Sequence, residues 1–186
     1  MKLSKNTKSQ GVTLVELLVS MSIVAIILTI ALPNMTILIN KTRVISELNS
    51  LSATIRMARA SAIDDQTTIT LCPTLNTRKC DFTNWQQSKM VFADSNQNKQ
   101  RDNNEPLLFA TSVVSDSINM HGPNRQVAFH ASGQLGTPTT IKLCPKSKNP
   151  RLKRALVISL QGRVRLSKDL NDDDIHELGK NKPIHC

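Results

Sequence analysis

From Lys142 to Lys168 every charged side chain is basic: Lys142, Lys146, Lys148, Arg151, Lys153, Arg154, Arg163, Arg165 and Lys168. These residue types suit phosphate, because lysine offers a point charge and arginine a planar fork that matches two phosphate oxygens. Arg163 and Arg165 are two positions apart, so on a strand they share a face. Gly162, just before them, permits a tight turn or the close approach of another backbone. The plainer alternative is a solvated edge strand whose charges discourage pairing with other strands. With four Phe, one Trp and no Tyr, the chain has little material for stacking on bases, and Trp85 and the phenylalanines read as core. A nucleic-acid contact built from this run is therefore electrostatic and indifferent to sequence.

A second residue asks for a partner. Glu16 lies in the apolar run from Val12 to Pro33. At about 1.5 Å per residue such a run spans a bilayer core of about 30 Å. A carboxylate inside an apolar helix costs about 2.5–3.5 kcal/mol. If the chain is cut after Gly11, the new α-amino group of Val12 can pair with Glu16 of a neighbouring subunit, so that the charge pair forms only on assembly. The polar segment before it carries Lys2, Lys5 and Lys8 and no acid, which keeps it cytoplasmic and sends the rest of the chain outward. An ordinary secretory signal has a shorter apolar stretch and a small-residue cleavage site after it, neither of which is present.

Other constellations carry less. Asp94, Asn96, Asn98 and Glu105 have the spacing of a calcium-binding loop, but the sixth position, where such a loop needs glycine, is Lys99, so the segment reads as a polar hairpin loop. Cys72, Cys80, Cys144 and Cys186 contain no CxxC pair and make no zinc-ligand pattern with the histidines. In an exported chain they read as two disulfides. Four cysteines allow three pairings: Cys72–Cys80 with Cys144–Cys186 closes a short loop and ties down the tail, while the repeated Leu-Cys-Pro at 71–73 and 143–145 favours the rival Cys72–Cys144. No nucleophile elbow or phosphate loop surrounds the Ser, His and Asp residues, so no enzyme activity, cofactor or metal is expected. The net charge of +10 points to phosphates, anionic lipid or acidic partners.

The elements that must position these residues follow from periodicity. Val44, Leu48, Leu51, Ile55, Ala58 and Ala62 form one apolar stripe at helical spacing, flanked by Lys41, Arg43, Glu47, Arg56 and Arg59 and ending at Asp64-Asp65-Gln66. Strand-like runs follow at 67–72, 89–93, 107–114, 126–131, 139–144, 155–160 and 163–166. Without helices between them they pair antiparallel. The expectation is an α+β chain with a long N-terminal helix packed on a small antiparallel sheet: a leader over 1–11, a transmembrane and assembly helix over 12–33, an amphipathic continuation over 34–65, and a β-rich head over 66–186.

Gly11-Val12-Thr13-Leu14-Val15-Glu16-Leu17-Leu18 resembles the type III signal of type IV pilins and type II secretion pseudopilins, with Val12 where that family usually has Phe. The resemblance implies that a prepilin peptidase cuts between Gly11 and Val12 and methylates the new terminus, and that Glu16 serves assembly with major and minor pilins. It also implies a single-pass inner-membrane precursor with a periplasmic head, later part of a surface fibre. Ala58-Arg59-Ala60-Ser61-Ala62-Ile63, Ile69-Thr70-Leu71-Cys72-Pro73, Trp85 with Met90–Asn98, and Ile158–Arg165 are together similar to the GspH/FimT group of minor pilins. One branch of that group serves type II secretion. The other serves type IV pili and DNA uptake in natural transformation, where a GRxR motif has been linked to DNA. Carried onto this chain, the resemblance implies double-stranded DNA contact by Gly162, Arg163 and Arg165, helped by Lys146, Lys148, Arg151, Lys153 and Arg154. The alternative is a structural pseudopilin, or an initiator of pilus assembly, without DNA binding.

Overall fold

The computed structural model describes residues 11–147, 149–180 and 182–186; the side chains of residues 30 and 32–34 also lie outside that description. Residues 1–10 of the leader expected over 1–11, and Lys148 of the basic run, are therefore outside the described residues. The chain divides into two compact units, one ending at Ile39 and one beginning at Asn40, and helix α1 (Leu14–Asp64) contributes to both.

In the first unit α1 opens on Thr13, whose hydroxyl accepts the Glu16 N–H at 3.2 Å. This side-chain cap satisfies one of the amides that the first turn leaves without an intrahelical partner. Glu16 lies in that first turn, where the positive end of the helix dipole favours a carboxylate. The large apolar side chains from Val12 to Leu28 are exposed. They point in every direction around the helix, a pattern that needs an apolar surrounding. The hydroxyls of Ser20, Ser22 and Thr29 donate to the carbonyls of Leu17, Leu18 and Ile26, so these three hydrogens need no water. Among the described residues, no helix is long and apolar enough to cross a membrane. The expected span over 12–33 runs into positions whose side chains are not described.

In the second unit the α1 stripe is buried at every position: Val44, Leu48, Leu51, Ile55, Ala58 and Ala62. The helix stops where Gln66 turns to φ 50° and its side-chain amide donates to the Ile63 carbonyl at 2.6 Å, a side-chain substitute for the missing next turn. The strands are β1 (Ile69–Thr74), β2 (Ser88–Ala93), β3 (Leu107–Ala110), β4 (Ile118–His121), β5 (Val127–Phe129), β6 (Thr139–Pro145), β7 (Arg154–Ile158), β8 (Val164–Leu166), β9 (Glu177–Gly179) and β10 (Lys182–Pro183). They form two four-stranded antiparallel sheets, in the orders β3-β2-β1-β5 and β4-β6-β7-β8, and a β9-β10 ribbon. The sequence pointed to one small sheet; the strands divide instead because β5 pairs with β1 and β6 with β7, and β4, β9 and β10 are strands the sequence did not show. Ile118-Asn119-Met120-His121 alternates buried and exposed but over only four residues, too short a run to stand out from its polar neighbours, and β10 contains a proline.

One core joins the α1 stripe to both sheets through Ile69, Leu71, Val91, Ile118, Phe129, Ile141, Leu143, Leu156 and Ile158. Trp85 belongs to it, its indole N–H donating to the Pro123 carbonyl at 2.9 Å. Gly122 lets the ring come this close, since a Cβ there would lie 2.3 Å from it. A smaller cluster of Cys72, Met90 and Phe92 covers the other face of β1 and β2, closed by Cys80 and Phe82. This explains why β1 is buried at all six positions: both of its faces are covered, so it reads as a continuous rather than an alternating run.

Candidate functional site

The disulfides join Cys72 to Cys80 and Cys144 to Cys186. The first holds the loop that seals the smaller cluster. The second fastens the C-terminus to β6, where Lys142 Nζ also donates to the His185 carbonyl at 2.8 Å and Ile184 is buried. The tail is thus built against the sheet that carries the basic run.

That run occupies β6, a 3-10 turn at Pro150–Leu152, β7 and β8. Its members separate into groups. Arg163 closes the turn between β7 and β8: the Ser159 N–H donates to the Arg163 carbonyl, and the Gly162 N–H to the Ser159 carbonyl. Val164 turns partly toward the core, leaving Arg163 and Arg165 on either side of it and exposed. Their guanidinium groups have different neighbours. Arg163 lines a cleft of about 490 Å³ beside Arg56 and Arg59 of α1. Arg165 Nη2 donates to the Leu178 carbonyl at 2.8 Å.

Lys146 and Lys153 line a second cleft with Asn119, His121 and the Cys144–Cys186 bridge. Arg151 and Arg154 have a different setting. Arg154 Nη1 donates to the carbonyls of Arg151 and Lys153, each at 2.7 Å, which commits that guanidinium to the local turn. Arg151 Nη1 lies 3.8 Å from Asp174 Oδ2. The run that is free of acids in sequence is therefore not so in space, because the loop around Asp174 folds back to it. His176 is held below the ordinary histidine value by burial and by the Arg154 guanidinium, against the opposing bond from its Nδ1 to the Ser167 carbonyl at 2.7 Å.

Gly162 has a geometric role. Its φ is +74°, and a Cβ there would lie 2.2 Å from the Gly133 carbonyl oxygen and 2.7 Å from Arg59 Nε. Arg59 Nε donates to that same carbonyl at 3.0 Å. Glycine thus lets the 159–163 turn close onto α1. Arg56 and Arg59 were visible in sequence only as flanks of the apolar stripe; a linear pattern does not say which turn the helix will meet.

The Asp94–Glu105 loop holds itself. Asp94 Oδ2 accepts from the Thr70 hydroxyl, the Glu105 oxygens accept the Ser95 and Asp102 N–H groups, and the Asn96 and Asn98 amides both donate to Asp102. Among the described residues, no group of His, Cys, Asp and Glu is arranged to hold a metal ion. At the other end of the chain, Gly11, Val12 and Thr13 precede the helix and are exposed, with nothing near Gly11 that a Cβ would meet.

One solved structure agrees with this architecture. The type IV minor pilin FimU of Pseudomonas aeruginosa has a similar crystal structure, with a TM-score of 0.52 at 18% identity, covering 68% of this chain and 90% of that one. The minor pseudopilin EpsH of the Vibrio cholerae type II secretion system aligns with a TM-score of 0.48 at 14% identity, over 68% of this chain and 94% of that one. No curated protein sequence matches the chain. Residues 6–32 match the prokaryotic N-terminal methylation motif, which implies a membrane-anchored pilin precursor. Residues 47–162 match the model of the type II transport protein GspH, and with its pilin-like α+β fold the chain belongs to the GspH family of minor pilins and pseudopilins.

Proposed function

We propose that this chain is a minor pilin of a type IV pilus that holds double-stranded DNA without sequence preference and contributes to DNA uptake in natural transformation. The observation that carries the reading is the pair Arg163 and Arg165, exposed on either side of Val164 beyond the Gly162 turn. Lys146 and Lys153 extend the positive surface. Arg151 is discounted by Asp174, and Arg154 by its partial burial together with two bonds to local carbonyls, whereas Arg165 is exposed and makes one such bond, to Leu178. Trp85, Phe92 and Phe129 are buried, whereas Phe109, expected in the core, is 42% exposed on β3; β3 belongs to the sheet that does not carry the basic run, which leaves phosphate contact as the main source of affinity. Few contacts give weak binding at physiological salt. Weak binding suits a fibre that takes hold of DNA and later releases it, and several subunits on one DNA raise the avidity.

The same reading assigns the N-terminal segment. The leader ends at Gly11, a prepilin peptidase cuts before Val12 and the new terminus is methylated. The apolar helix then holds the precursor in the inner membrane with its head in the periplasm. Glu16 pairs with the Val12 amine of a neighbouring pilin when the subunit enters the filament. A gel shift of the mature protein in detergent with duplex DNA tests the DNA claim. Arg163→Gln with Arg165→Gln should abolish the shift while the circular dichroism spectrum is unchanged. A double variant that shifts DNA like the parent would replace this reading with a structural pseudopilin of type II secretion.

A further inference from the structure

The cleft between the C-terminal half of α1 and the 159–163 turn brings three arginines together. Arg56 and Arg59, three residues apart on the helix, line it with Ile63 on one side, and Gly162 and Arg163 on the other. Among the described residues, no carboxylate lines it. Three arginines lining one opening of about 490 Å³ bring like charges together, and an anion between them offsets that repulsion. Arg59 is oriented from within: its Nε donates to the Gly133 carbonyl, a bond that leaves the terminal amino groups of the fork for another acceptor. The Gly133 and Gly162 turns both press on this part of α1, where a Cβ at either position would collide with Arg59 or Ile63. The helix and the turn are therefore held in register, which preorganises the opening rather than leaving it to two mobile side chains.

We propose that Arg56, Arg59 and Arg163 form a phosphate subsite for the DNA backbone, so that helix α1 and not only the β7-β8 turn holds the nucleic acid. The proposal rests on the DNA-binding reading above and adds two residues that the linear basic run does not contain. It also gives Gly162 a purpose in the interface: it closes the arginine of the turn onto the arginines of the helix. Planar guanidinium groups offered from two elements match the two free oxygens of a backbone phosphodiester better than a single lysine would.

Arg56 is exposed on the helix surface, so replacing it leaves the core alone. The test measures duplex DNA binding by fluorescence anisotropy over a salt series, with the full mature protein in detergent. Its arms are the parent, Arg56→Gln, Arg56→Glu and the Arg163→Gln/Arg165→Gln pair. If the subsite exists, Arg56→Gln lowers affinity about eightfold at 0.1 M salt and makes the slope of log affinity on log salt shallower by about 0.9. Arg56→Glu lowers it further, and thermal unfolding is unchanged in both. If both Arg56 variants follow the parent line while the Arg163/Arg165 pair loses binding, the subsite is refuted and the DNA-binding reading stands. If all variants follow the parent line, both are refuted.

Discussion

At Gly162 two demands meet in one residue. The backbone is in the left-handed region at φ +74°, and the space where a side chain would begin is taken by the Gly133 carbonyl and Arg59. Alanine must adopt a costly φ and also push α1 away from the turn. Gly162→Ala should lose about 1–3 kcal/mol in chemical denaturation and should weaken DNA binding although no charge has changed. Lys89 poses the opposite problem, a cation inside the core. It is 2% exposed, and burial lowers its pKa from the ordinary 10.5 to about 8, with Glu47 pulling the other way. Between about pH 8 and 10.5 the unfolded chain binds more protons than the folded one at this site. The penalty is thus complete below pH 8, and stability rises as pH passes through that window. Lys89→Met should raise the melting temperature at pH 7 and remove the rise between pH 8 and 10.5; scanning calorimetry at pH 7 and 9.5 reads both effects.

Among the elements, the helix was the most legible, because burying one face imposes a 3.6-residue period that Val44 to Ala62 keeps without a break. Strand positions were legible where a run was long and apolar, as in β1, β2, β6 and β7, with ends that moved by a residue or two. The division into two sheets was not, because it depends on which strands pair, β5 with β1 and β6 with β7, and side-chain patterns do not specify partners; β4 is too short to announce itself. Nor was the scattering of the basic run, since Asp174 meets Arg151 only through the tertiary path of a loop. The two disulfides differ in what they constrain. Cys144–Cys186 spans 42 residues and Cys72–Cys80 only 8, so the unfolded chain gains more freedom when the first is lost. Loop-closure entropy puts the costs at about 4 and about 2.5 kcal/mol. Urea denaturation of Cys144→Ser/Cys186→Ser and Cys72→Ser/Cys80→Ser should rank them in that order. The reverse order would mean that Cys72 acts chiefly by packing in the Met90–Phe92 cluster.

The whole molecule joins an apolar N-terminal unit to a folded basic head. The exposed apolar surface from Val12 to Leu28 has no place in water, and membrane and filament are the two surroundings that accept it. Glu16 is tolerable in both for local reasons, since it lies in the first helical turn. Glu16→Ala should therefore leave membrane insertion intact, or improve it, while reducing incorporation into sheared fibres; immunoblots of membrane and fibre fractions separate these outcomes, and normal incorporation would remove the proposed pairing with the Val12 amine. We propose that this head holds DNA through phosphate contacts at Arg163 and Arg165. The most direct measurement of this is the salt dependence of duplex DNA affinity for the mature protein and its Arg163→Gln/Arg165→Gln variant. Each phosphate contact should contribute a slope of about −0.9, so the parent should bind at low salt with a steep negative slope and the double variant should lose about two contacts of it. A parent that does not bind duplex DNA at low salt, or a double variant on the same line as the parent, would contradict the account.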